Sequence, residues 1–312
     1  MSVTTLSSRK EQITATAFFT DSAILIAIQA VIGICVHHGW FWAVAALILP
    51  ASHFMHGTLI AFHEASHGLL RKSRLLNEID GVFIGIFSFT SFSLYRAAHQ
   101  THHAHLGSER DEELWPFVRT EISRPTRIFA AVLELTVGIL FTPFLFYRTF
   151  LREGSPIRSR KIRRRIWMEI GGIILAWITI FSLVAYFDVW IYFLSIFALP
   201  AIVAGNLQSW RKYIEHVGLT GDTVNSSTRN VVPRTRLGRW LAFTLLHEPY
   251  HGVHHQKSGL PHEQLPEHVG DLEPRTPAEL APFPSYTSAL QHLLKNLKDP
   301  RVGAQWRAIP SK

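Results

Sequence analysis

Residues 40–67 read WFWAVAALILPASHFMHGTLIAFHEASH, and the reading of this stretch decides the fold. From 40 to 62 it carries no Asp, Glu, Lys or Arg. At about 1.5 Å per residue it is long enough for a helix to cross a hydrocarbon core of about 30 Å. It then runs straight into His63-Glu64-Ala65-Ser66-His67. Upstream, residues 18–36 form a second apolar run, broken only by Thr20, Asp21, Ser22 and Gln29, and His37-His38-Gly39 makes the turn between them. The two together predict a transmembrane hairpin. A cleaved signal peptide fits the first run poorly, because its apolar part is too long and lacks a small-residue cleavage site. A second hairpin follows at 166–187 and 189–207, joined through Asp188, with Glu169 near enough to the start to reach the interface.

Composition agrees. Of 312 residues, 47% are hydrophobic and only 17% charged, which favours a membrane protein over soluble domains. Lys plus Arg number 31 against 23 Asp plus Glu, a formal +8. That excess is read as basic loops facing the cytoplasm and not as nucleic-acid binding. Both hairpin turns lack Lys and Arg, whereas Arg148, Arg152, Arg158, Arg160, Lys161, Arg163, Arg164 and Arg165 crowd the middle segment. The positive-inside rule therefore places both termini, residues 63–165 and residues 208–312 in the cytoplasm.

Two further apolar runs, 79–94 and 128–147, contain Ser, Thr, Glu134, Gly138 and Pro143 and read as helices on or dipping into the interface. The tail from 261 is polar and Pro-rich, with an amphipathic helix expected at 285–297. The expected fold is one all-α integral membrane domain over 1–312: four transmembrane helices in two hairpins, interfacial helices and a histidine-rich cytoplasmic cap.

The single cysteine, Cys35, excludes an internal disulfide and any Cys-ligated zinc or iron–sulfur site built by this chain alone. The 18 histidines are bunched. His63 and His67 stand at i, i+4 on a helix leaving the second span, so both rings share a face. His99, His102 and His103 repeat that logic at i, i+3 and i+4, and so do His251, His254 and His255. His216 lies just past the last span. Neutral imidazole suits iron, zinc and copper. Eight or nine imidazoles exceed what one ion takes, so the set implies two ions. Glu64, Asp111, Glu215 and Glu248 are placed to accept the outer N–H groups of ligand rings.

The three boxes on two hairpins resemble the membrane fatty acid desaturase superfamily, which embraces acyl and sphingolipid desaturases and carotenoid hydroxylases and ketolases. The likeness runs from about the second span to His268. It is strongest at Tyr95-Arg96 leading into His99-Gln100-Thr101-His102-His103 with Asp111-Glu112 following, and at Pro249-Tyr250-His251-Gly252-Val253-His254-His255 followed by Leu265-Pro266-Glu267-His268. The resemblance implies two non-haem irons held by His63, His67, His99, His102, His103, His251, His254 and His255, with His216 as the ninth ligand. Structurally known acyl desaturases carry an Asn four residues before that ninth histidine. Here the position is Lys212, and Asn206 is the nearest substitute. The implied reaction uses O₂ and two external electrons to desaturate an acyl chain, and the sequence identifies no catalytic residue beyond the metal centre itself.

Three alternatives share these residues. A carotenoid or terpenoid hydroxylase or ketolase would use the same boxes. A zinc membrane protease would need only His63, Glu64 and His67, and a metal transporter would want ligands inside the spans. No haem, flavin or nucleotide motif stands out, so electrons are expected from a separate donor, either a ferredoxin with its reductase or a cytochrome b5-type protein. The other expected partners are a hydrophobic lipid substrate and the bilayer, whose anionic lipids the basic segment would meet.

Overall fold

A computed structural model describes residues 13–308. The extreme chain ends, expected in the cytoplasm, lie outside the described residues. The first hairpin forms from α1 (Thr16–His37) and α2 (Phe41–His67). It turns through Gly39, whose φ of +70° is a left-handed conformation that glycine adopts without steric cost. Because α2 runs unbroken to His67, the first histidine pair occupies the last turn of a spanning helix.

Then come α3 (Arg74–Phe87) and α4 (Phe92–Ala104), where the sequence suggested one run at 79–94. The two axes bend by 101° instead. Local chemistry explains the corner. Phe89 sits at φ +54°, and the Ser91 hydroxyl caps α4 by accepting the Leu94 N–H at 3.2 Å. Glu169 completes it, accepting from the Ser91 hydroxyl, the Ser93 N–H and the Ser93 hydroxyl at 2.6, 2.8 and 2.7 Å. The expected run at 128–147 is likewise divided, at Val137, into α5 (Arg124–Thr136) and α6 (Gly138–Leu151).

The second hairpin pairs α7 (Arg160–Tyr186) with α8 (Trp190–His216), turning at Asp188 with φ +51°. Inside α8 a π-helical turn spans Leu194–Ala198. Across from it the Gln29 side chain donates to the Ile196 carbonyl at 3.3 Å, which accounts for a polar side chain within α1. The outward faces of these helices are apolar. Trp42 is 79% exposed and Leu175 65%, a surface suited to lipid and far larger than water tolerates. Among the described residues, four helices are thus long and apolar enough to cross a membrane, and no strand forms beyond an isolated bridge between Val231 and Phe283.

The remaining chain caps one end of the spans through α9 (Arg236–Thr244), α10 (His251–Gln256), a 3-10 stretch at His262–Leu272 and α11 (Tyr286–Asn296), the amphipathic helix expected at 285–297. Beneath the cap, Phe62, Phe92, Tyr95, Phe146 and Leu246 form a buried apolar core that locks α2, α4 and α6 together.

At Gly57, α1, α2 and α9 approach closely. A Cβ there would fall on the buried Asp21 carboxylate and within 2.6 Å of the Thr244 carbonyl oxygen. Gly57→Ala should therefore destabilise the protein by about 1–3 kcal/mol through overpacking, read as a lowered melting temperature in detergent.

Candidate metal centre

Three helices end at one place. His63 and His67 close α2, His102 and His103 lie in the last turn of α4, and His216 is the last residue of α8. Helix C-termini carry partial negative charge, so their convergence favours a cation. A fourth contribution comes from α10, which brings His251, His254 and His255. That short helix is delivered by a sharp backbone turn in which Leu246 and His247 both have positive φ, +47° and +54°.

The imidazoles sort into two clusters. In the first, Nε2 atoms form a closed circuit: His63 to His67 at 3.1 Å, His67 to His99 at 3.1 Å, His99 to His103 at 3.0 Å, His103 to His254 at 3.1 Å and His254 back to His63 at 3.0 Å. The second gathers His102, His216, His251 and His255, with His216 to His251 at 2.9 Å and His251 to His255 at 3.0 Å. The clusters adjoin, the rings of His103 and His255 lying 4.4 Å apart. All nine histidines singled out in the sequence are thus brought together.

Outer contacts fix which nitrogen faces inward. His102 Nδ1 meets both oxygens of Asp111 at 3.0 and 2.9 Å, and His99 Nδ1 meets Glu113 at 2.9 Å. His216 Nδ1 meets the Ser227 carbonyl at 3.0 Å. An acceptor beside Nδ1 assigns the proton there and leaves Nε2 with its lone pair inward. Burial, then the charge of neighbouring imidazoles, pushes His99, His103, His254 and His255 well below the usual histidine pKa, so these rings are neutral. His102 differs: burial opposes its charge, but Asp111 and then Glu113 outweigh that and raise it.

Lone pairs packed Nε2 against Nε2 repel unless positive charge lies between them. Neighbouring ligands with metal–nitrogen distances of about 2.0–2.1 Å around one ion stand about 3 Å apart, the spacing of this circuit. The donor set therefore fits two metal ions, with imidazole selecting a first-row transition metal over magnesium or calcium.

The other sequence candidates fare unequally. Asp111 is in contact with His102. Glu215 accepts from Arg211 at 2.6 Å and from the Tyr286 hydroxyl at 2.9 Å, and its Oε2 lies 3.6 Å from Nε2 of His251. Glu64 is buried beside His63 and Glu248, with Oε2 unpartnered. Asn206 is not brought to the histidines. It sits ten residues before His216, about 15 Å along the helix, and donates to the Thr136 carbonyl at 3.0 Å. Lys212 pairs with buried Glu134 at 2.8 Å and donates to the Glu113 backbone carbonyl at 3.4 Å.

Sequence reasoning missed Glu113; the adjacent Glu112, quoted only within the motif, faces Arg119, Arg148 and Arg152. It also missed the Ser227 carbonyl and Arg211.

An apolar cavity of about 410 Å³ is lined in part by Met55, Thr58, Phe62, Tyr95, Ala204 and Gln208. Phe62 adjoins His63 in sequence, and the Tyr95 ring stacks on His99 with centroids 5.2 Å apart.

A family model described as fatty acid desaturase matches residues 38–287, a span that takes in all three histidine boxes and His216. Comparison with curated proteins gave no match.

Proposed function

The chain belongs to the fatty acid desaturase family, and from that premise we propose that it is a di-iron membrane oxidoreductase that introduces a double bond into the acyl chain of a lipid. The observation that carries the reading is the pair of adjoining imidazole clusters with Nε2 atoms directed inward. Two irons bound there would supply O₂ activation and the oxidising power to take hydrogen from an unactivated C–H bond.

The chain's own residues do the rest. Asp111, Glu113 and the Ser227 carbonyl hold ligand rings in one tautomer and orientation. The cavity is apolar, so it excludes water and takes a hydrocarbon chain. Its Phe62 and Tyr95 wall stands next to the five-imidazole cluster, the Tyr95 ring stacking on His99. A zinc protease would not need the five-imidazole circuit into which His63 and His67 are built.

The clusters lie at the same end of the spans as the basic segment 148–165, which supports a cytoplasmic placement by the positive-inside rule. With one cysteine in the chain, electrons come from a separate donor, a ferredoxin with its reductase or a cytochrome b5-type protein. The basic face would dock an acidic one.

Metal analysis of purified protein should find about two irons per chain, in line with imidazole ligation. Lipids extracted from expressing cells should gain acyl chains lacking two hydrogens, and a His102→Ala control should not. An added oxygen in place of the lost hydrogens would make the enzyme a hydroxylase. One zinc per chain with unaltered lipids would sink the proposal.

A further inference from the structure

Each outer contact described so far serves one ligand ring. Glu248 serves two, one in each cluster. Its Oε2 lies 3.2 Å from Nδ1 of His63 and its Oε1 lies 3.0 Å from Nδ1 of His251. Both approaches are off the straight line of a hydrogen bond, a compromise between two partners. The carboxylate is 1% exposed, and the left-handed residues Leu246 and His247 deliver it to that position. Behind it, Nη1 of Arg211 donates to Glu248 Oε1 and to Glu215 Oε2, each at 2.6 Å.

We propose that Glu248 is a positioning residue that couples the two metal sites, so that filling one cluster prepares the other. The inference rests on the two-metal reading given above. With an ion held at Nε2, the Nδ1–H of His63 would be a stronger donor and would fix Oε2 of Glu248. The same rigid carboxylate then holds His251 with Nε2 turned toward His216 and His255. Linkage requires the coupling to run equally in the other direction.

The sense of the hydrogen bonds predicts an asymmetric defect in Glu248→Gln. Arg211 can only donate, so the amide oxygen stays at the Oε1 position and continues to serve His251. The amide NH₂ then faces Nδ1 of His63, donor against donor. His63 relieves the clash by moving its proton to Nε2, and its lone pair no longer faces the five-imidazole cluster.

Fe(II) titrated into chelator-treated protein tests this. The wild type should take up two ions in one cooperative step. Glu248→Gln should hold one ion at near wild-type affinity and a second weakened roughly 10–100-fold, the cost typical of losing an outer contact. Glu248→Asp keeps the charge but is too short to span both rings, so it should also split the step. It carries the test should the glutamine variant not fold, and it separates bridging from charge alone. Asp111→Asn, which among the ligand rings touches only His102, should weaken the other ion, so that Asp111→Asn combined with Glu248→Gln leaves no tight site. One-step filling in both Glu248 variants, or independent filling in the wild type, would overturn the coupling and leave the two-metal centre standing. A wild type that binds one ion or none would overturn that centre itself.

Discussion

Replacing His254 with alanine is expected to empty the five-imidazole cluster and abolish lipid oxidation. His254 closes the circuit between the first and second boxes, with Nε2 at 3.0 Å from His63 and 3.1 Å from His103. Removing it opens the circuit at the one ligand that comes from α10. The metal affinity of that cluster should fall by more than the roughly 10–100-fold that losing an outer contact costs, because an inner donor is gone. Iron per chain in the purified variant should drop to about half or less of the wild-type value, and the oxidised acyl product should vanish. The helices should persist, since α10 keeps its apolar anchor, Val253, in the core with Tyr250 and Leu265. If the variant instead kept one zinc per chain and cleaved peptides through His63, Glu64 and His67, the desaturase reading would fall to the protease one.

The histidines were legible because both of their constraints are local. Apolar run length marks the spans, and spacings of three and four place rings on one helical face without any knowledge of the fold. His216 could be read for the same reason, since α8 continues the last span as one helix to that residue.

What escaped the sequence is set by contacts between distant segments. Asp111, Glu112 and Glu113 are chemically similar, and only the turn after α4 decides that the first and third face the rings while Glu112 faces three arginines. Glu248 is legible as an outer acceptor, but its reach to His63 across 185 positions depends on two left-handed residues, neither of them glycine, that no propensity would suggest. Asn206 misled because residue type was matched without regard to helical rise. The bend between α3 and α4 was hidden for a related reason: Glu169, which ties it down, reads from sequence as an interfacial residue at the start of a span.

Thr58→Phe is expected to stop turnover while leaving the iron in place. Thr58 lies on α2 one turn before Phe62, facing the cavity, with its hydroxyl donating to the Phe54 carbonyl of its own helix at 3.2 Å. A phenyl ring there projects into the space that an acyl chain would fill on its way to His63 and His99. Displacing a reacting carbon by about 1 Å costs on the order of 100-fold in rate, and a ring in the path displaces it further. No imidazole touches Thr58 among the described contacts, so metal content and the Fe(II) titration should match the wild type. Loss of product with full iron would identify the cavity as the route by which substrate reaches the oxidant. Undiminished product with full iron would mean that the substrate enters elsewhere, and the cavity would then have to be reassigned to a bound structural lipid.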